Sequence, residues 1–179
     1  RYVVGITWIA LNILYYSELG KYNGWDLQND AGAIPEFYND SSDFTGLGLY
    51  DRYLIIHKLE NTYLLDGTAS DTTTWAIEPR SNYSCESQQS FSSANNGYYI
   101  YSSMIGGILP LMQRTVYNAS YQGLEISTKI KDSFEKLNNA ELSKIFIVYH
   151  PRKKYMMFYM PILDGNGSNT CYIYDILTK

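Results

Sequence analysis

Residues 44–111 decide the fold: FTGLGLY (Phe44–Tyr50), YLIIHK (Tyr53–Lys58), TYLLDG (Thr62–Gly67), TTWAIE (Thr73–Glu78), FSSA (Phe91–Ala94), YYIYSS (Tyr98–Ser103) and GILPLM (Gly107–Met112). Each run is short and rich in Tyr, Ile, Leu and Thr, the residues that suit a pleated, half-buried surface. The gaps hold Asp51-Arg52, Glu60-Asn61, Asp66-Gly67, Asn95-Asn96-Gly97 and Gly106-Gly107, which are turn formers. Strand-length runs punctuated this way predict an antiparallel meander.

Outward from that stretch, GITWIAL and ILYYSE flank Asn12 and predict a hairpin, followed by a polar connection through Gly20, Asn23-Gly24 and Asp30–Gly32. Trp25 interrupts that connection and is expected to tuck it onto the core. On the other side, Ile130, Phe134 and Leu137 follow helical spacing with Lys and Glu on the remaining faces, which predicts an amphipathic helix over about Ile126–Asn138 and a short second turn at Ala140–Ser143. IFIVYH, YMMFYMPI and TCYIYDI then return the chain to a meander, with turns at Pro151–Lys154 and Asp164–Gly167. Strands in groups of three or four, recurring about every 40 to 45 residues, match the period of propeller blades. The expected fold is therefore mainly β: β-propeller blades across 1–179 as one region, with a helical insertion at 124–143. A β-sandwich with the same strands is the alternative.

Composition narrows the function classes. A chain of 179 residues with 45% hydrophobic and 16% aromatic residues can bury a real core. A formal charge of −4 with 18% charged residues argues against a grip on nucleic acid, which needs clustered Lys and Arg. Arg152-Lys153-Lys154, between two apolar runs, reads as a solvated turn. VVGITWIALNILYY is broken by polar residues and a Gly, and no apolar run reaches membrane-spanning length. Tyr2–Ala10 already reads as strand behind Arg1, and CYIYDILTK stops after a strand, so the chain is expected to be an excerpt of a longer polypeptide. Cys85 and Cys171 lie far apart with no metal-like spacing, which favours a reduced cytosolic or virion setting over a disulfide framework. Sequons occur at Asn39, Asn82, Asn118 and Asn166, where composition alone gives roughly two.

Reactive constellations are missing from the sequence pattern. His57 and His150 sit in apolar strands with no Ser or Cys nucleophile in a recognisable elbow, and both read as structural. Asp164, Asn166 and Ser168 alternate like the oxygens of a calcium loop but lack the bidentate Glu of an EF-hand, so a hairpin turn is the preferred reading of this weak metal candidate. No phosphate-binding glycine loop is present. The expectation is a non-enzymatic protein without cofactors. Trp25, Trp75 and Tyr83 are the candidate interface or ligand-contact residues.

Several phrases in order carry a resemblance: LYYSELGKYNGWD, FTGLGLYDRYLIIHKLENTYLLDG, SNYSCESQQSF, NGYYIYSSMIGGILPL, KIFIVYHPRKKYMMFYMPI and CYIYDILTK. Together they resemble the propeller region of tail nozzle, tubular tail or packaged-DNA stabilisation (hub) proteins of short-tailed bacteriophages, over almost the whole chain. The resemblance implies a structural virion tail protein. Several copies, commonly a hexamer, would form a ring below the portal and adaptor, through which phage DNA passes without sequence-specific binding. SDTTTW (Ser70–Trp75) is also similar to the Asp-box turn of sialidase propellers, but Thr stands where that turn requires Gly. The competing expectation is a host-receptor or carbohydrate-binding β-domain of a tail appendage, with Trp25, Trp75 and Tyr83 as its contact surface.

Overall fold

A computed structural model describes residues 4–5, 13–26, 31–34, 37, 40–66, 71–94, 97–113, 130–162 and 169–177. These form thirteen strands in four antiparallel sheets. The first sheet holds β1 (Val4–Gly5), β2 (Leu14–Tyr16) and β3 (Gly32–Ile34). The second is a four-stranded meander of β4 (Phe44–Tyr50), β5 (Tyr53–Lys58), β6 (Thr62–Asp66) and β7 (Ala76–Ser81). The third holds β8 (Phe91–Ala94), β9 (Gly97–Ser102) and β10 (Gly107–Gln113), and the fourth β11 (Phe146–His150), β12 (Tyr155–Pro161) and β13 (Asn169–Asp175). The expected apolar runs from Phe44 onward supply strands, because each is short and bounded by recognisable turns, whereas most of GITWIAL lies outside the described residues. A two-residue turn, Asp51-Arg52, joins the paired Tyr50 and Tyr53, with Asp51 at φ 57°, a region that Asp tolerates better than bulkier residues.

Period-two alternation gives two of the sheets a core on each face. In the second sheet, Ile56, Tyr63 and Leu65 pack with Leu14 of the first sheet, while Ile55 and Leu64 pack with Tyr98, Ile100, Leu109 and Leu111 of the third. In the third sheet, Tyr99, Tyr101 and Ile108 turn the other way, onto Ile147, Met156, Phe158 and Met160 of the fourth. Consecutive sheets are thus stacked face to face in chain order, with one apolar cluster in each gap. A one-residue slip in any strand would exchange its two faces, so two-sided burial fixes register strongly.

Glycine has a packing role in β4. Gly46 and Gly48 lie on the face toward the third sheet, where a Cβ at Gly48 would fall 2.1 Å from the Tyr98 hydroxyl and one at Gly46 2.7 Å from Phe91 Cε1. The alternation of FTGLGLY therefore sets Leu on one side and, on the other, room for an aromatic layer.

The expectation of a mainly β chain of antiparallel meanders holds, and among the described residues the sheets are open and do not close into a ring. One expectation needs correction, because the described part of the helix is shorter than expected: α1 spans Lys131–Phe134, Ile130 lies outside the helical region at φ −122°, ψ 24°, and Leu137 has left the helix to bridge Ile162. Phe134 and Leu137 are buried in the gap between the third and fourth sheets, so the apolar spacing is real, but tertiary packing ends the helix early. The second turn is present as a 3-10 segment, Asn139–Lys144, capped by the Asn138 side chain. Residues 124–129 of the expected insertion lie outside the described residues. Among those described, no helix is long and apolar enough to cross a membrane.

Candidate functional site

His57 and Lys58 are adjacent on β5, so the pleat sends them to opposite faces of the second sheet, and both are fully buried. A buried polar group is tolerated only with partners. Lys58 Nζ donates to the Asp40 carbonyl, lies 3.7 Å from Asp40 Oδ1 and sits 5.1 Å from the Phe44 ring centroid and 5.4 Å from that of Phe37. Burial lowers the Lys58 pKa, with Asp40 opposing the shift. Burial would by itself raise the Asp40 carboxyl, but bonds from the Ser42 hydroxyl and amide, Asn61 and Tyr63 outweigh it and hold the group at about 2.

On the opposite face, hydrogen bonds run in one direction. Thr62 donates its hydroxyl to the Tyr83 carbonyl at 2.7 Å, so its oxygen must accept from His57 Nδ1 at 2.9 Å. His57 therefore carries its proton on Nδ1, and Nε2 accepts from the Tyr98 hydroxyl at 2.9 Å. Burial lowers the imidazole pKa to about 3. The ring also stacks on Tyr98, with Phe91 alongside, in the space left by Gly46 and Gly48. This neutral, fully partnered imidazole joins the second sheet to the third.

The segment between β7 and β8, residues 82–90, ties three sheets together. Gln88 acts as a piece of strand: its Oε1 accepts from the Leu47 amide at 2.7 Å and its Nε2 donates to the Leu47 carbonyl at 2.9 Å, occupying the open edge of β4. The Ser90 carbonyl accepts from the Tyr101 amide and the Gln89 carbonyl from the Ile147 amide, both at 2.9 Å. Glu86 Oε1 accepts from the Ser103 amide at 2.7 Å. Cys85 is buried in the same segment near the Thr45 hydroxyl, and burial pushes its thiol up to about 11, so it is a packing residue rather than a nucleophile.

The three expected contact residues are not brought together. Trp25 lies over Gly5 on the first sheet yet stays 43% exposed. Trp75 is half-buried, packing on Tyr16 with ring centroids 5.0 Å apart, and follows the 3-10 turn Thr72–Thr74 that Asp71 caps, which makes SDTTTW a strand-entry turn. Tyr83 is partly exposed beyond the far end of β7, whose six residues at about 3.3 Å each put roughly 20 Å between it and Trp75. His150 Nδ1 accepts from the Lys153 amide and so closes the turn Pro151–Lys154, where Arg152 and Lys153 are exposed. Asn82 is exposed, whereas Asn39, Asn118, Asn166 and the candidate loop of Asp164, Asn166 and Ser168 lie outside the described residues. Among the described residues, no group of three His, Cys, Asp or Glu is arranged to hold a metal ion.

Sequence reasoning missed the partners rather than the positions. His57 and the Cys-containing turn stand out in the sequence, but Asp40, Tyr98 and Gln88 become their partners only through pairings across the fold. Comparison with models of known protein families and with curated proteins finds no match.

Proposed function

We propose that this chain is a structural, non-enzymatic component of a bacteriophage tail, part of a nozzle or hub ring that retains packaged DNA and conducts it during ejection. The observation that carries the reading is the ordered stack of meander sheets, onto which the resembling phrases fall in sequence: YYSELG at the first sheet, FTGLGLY to TYLLDG in the second, the Cys-containing junction, NGYYIYSS in the third, and YHPRKKY with YIYD in the fourth. Such a stack is what propeller blades require, and the propeller is part of this proposal. The buried polar groups support a scaffold role, since His57 and Lys58 spend their hydrogen-bonding capacity inside the protein. A net charge of −4 suits a conduit wall that repels DNA phosphates rather than holding them.

One observation favours the receptor-binding alternative. The loop after β2 is closed by Glu18 N–H to the Gly24 carbonyl at 2.8 Å and presents Leu19, Tyr22 and Trp25 to solvent, with Tyr22 78% exposed. Glycan arrays and host-cell binding separate the two readings. The scaffold role predicts no saturable sugar or receptor binding, and specific saturable binding abolished by Trp25→Ala would overturn it.

A further inference from the structure

Lys58 and Asn61 face each other across the turn between β5 and β6. The Lys58 amide donates to the Asn61 carbonyl at 2.9 Å, which extends the pairing of His57 with Thr62 by one step. Directly opposed residues share a face of the sheet with Cβ atoms about 5.5 Å apart, a gap that a lysine side chain spans with length to spare. Tyr63, two residues beyond Asn61, lies on the same face, and all three side chains converge on Asp40.

A buried cation needs only an acceptor, and this cluster offers more. The two oxygens of the Asp40 carboxylate are turned to different partners: Oδ1 lies 3.7 Å from Lys58 Nζ, while Oδ2 accepts from Asn61 Nδ2 at 3.1 Å and from the Tyr63 hydroxyl at 2.9 Å. One carboxylate therefore bridges an amine and a carboxamide. The amine is fully buried against the rings of Phe37 and Phe44, which keeps solvent from it, and burial favours its neutral, nucleophilic form. An amine, a carboxamide and a carboxylate that can move protons between them, held together away from water, are the reactants of a transamidation. We propose that Lys58 and Asn61 join after folding in an intramolecular isopeptide bond, with Asp40 as the proton carrier.

The step balances with no co-reactant. Asp40 takes a proton from the Lys58 ammonium, the neutral Nζ attacks Asn61 Cγ, the Nζ–Cγ bond forms and the Cγ–Nδ2 bond breaks. Of the three Nζ protons, one stays on the new amide and two pass by way of Asp40 to Nδ2, which leaves as ammonium. The reaction runs once per molecule, so a small neutral fraction of the amine suffices. Asp40 is not itself the acyl donor, because its carboxyl is held at about 2 and an ionised carboxylate resists attack by an amine. The product ties β5 to β6 by a bond that persists in a reducing setting, where a disulfide would not. None of this depends on the tail role proposed above.

Intact-mass measurement and tryptic mapping of the purified chain test it. The wild type is expected to weigh about 17 Da less than its sequence, with the deficit confined to the peptide that holds Lys58 and Asn61, and trypsin is expected not to cut after the acylated Lys58 even in the unfolded protein. Asn61→Ala is expected to show full mass and cleavage at Lys58, and Asp40→Ala, which lacks the proton carrier, to remain unlinked. A wild type of full mass overturns the inference whatever the variants do. The same deficit with Lys58 still cleaved also overturns it, since that marks an asparagine cyclised onto its own backbone. A loss of about 18 Da would join Lys58 to Asp40 instead and overturn it too. Linkage that persists in Asp40→Ala would overturn the part given to Asp40.

Discussion

At the residue scale, burial strips His57 of hydration while Thr62 and Tyr98 hold its neutral form. The unfolded chain binds a proton near 6.5 and the folded one only near 3, so the unfolded state holds more protons between these values. Stability is complete above pH 6.5 and falls as pH drops toward 3, by up to about 1.4 kcal/mol per unit. Urea unfolding at pH 6.5 and 4.5 checks this, and His57→Phe, though less stable overall, is expected to flatten the slope. An identical slope in both proteins would assign the acid sensitivity elsewhere. The Asp40 contribution is separable, because a carboxyl held at about 2 loses its stabilising effect only as pH falls below the ordinary carboxylate range.

Lys58 and Asp40 give a second residue-scale prediction. Removing one partner of a buried pair strands the other, so Asp40→Ala is expected to cost about 3–5 kcal/mol, most of it recovered by adding Lys58→Met. A denaturation cycle over the four proteins measures this, and an Asp40→Ala cost below about 1 kcal/mol would show that the ammonium finds water instead. That Lys58 would be buried was not legible in YLIIHK, where a terminal Lys reads as a strand running out into solvent. The burial of Lys58 comes from Phe37 and Phe44, whose rings close over the ammonium from outside the strand.

At the scale of elements, the strands were readable because each is short, alternating and bounded by turn residues. The helix was not, because its pattern of Ile130, Phe134 and Leu137 encodes burial rather than backbone, and Leu137 meets that demand from a bridge to Ile162. Edge protection was invisible for a different reason. Nothing in SCESQQS signals that an amide side chain will pair with β4, forty-one residues away along the chain. Gln88→Ala removes both bonds at a partly solvated edge, an expected loss of about 1–3 kcal/mol, and leaves the β4 edge open to pairing with other chains. Thermal melts with light scattering test it: a lower midpoint with earlier aggregation is the expected result, and an unchanged melt would mean that water replaces the amide without loss.

At the scale of the whole molecule, four sheets are stacked so that three apolar gaps and one junction segment hold everything in place. The sequence period anticipates this succession of meanders, whereas closure is a property of geometry between sheets that period alone does not encode. Trp75 illustrates the same limit at the candidate site: its residue type flagged a contact surface, but Tyr16 already covers it, and only Trp25 of the two remains substantially exposed. The measurement that tests the proposed role most directly is a reconstruction of intact tailed particles with the chain located in the density. Several copies in a ring around the axial channel below the portal are the expected result; copies found outside the tail axis, or singly, would contradict the proposed role.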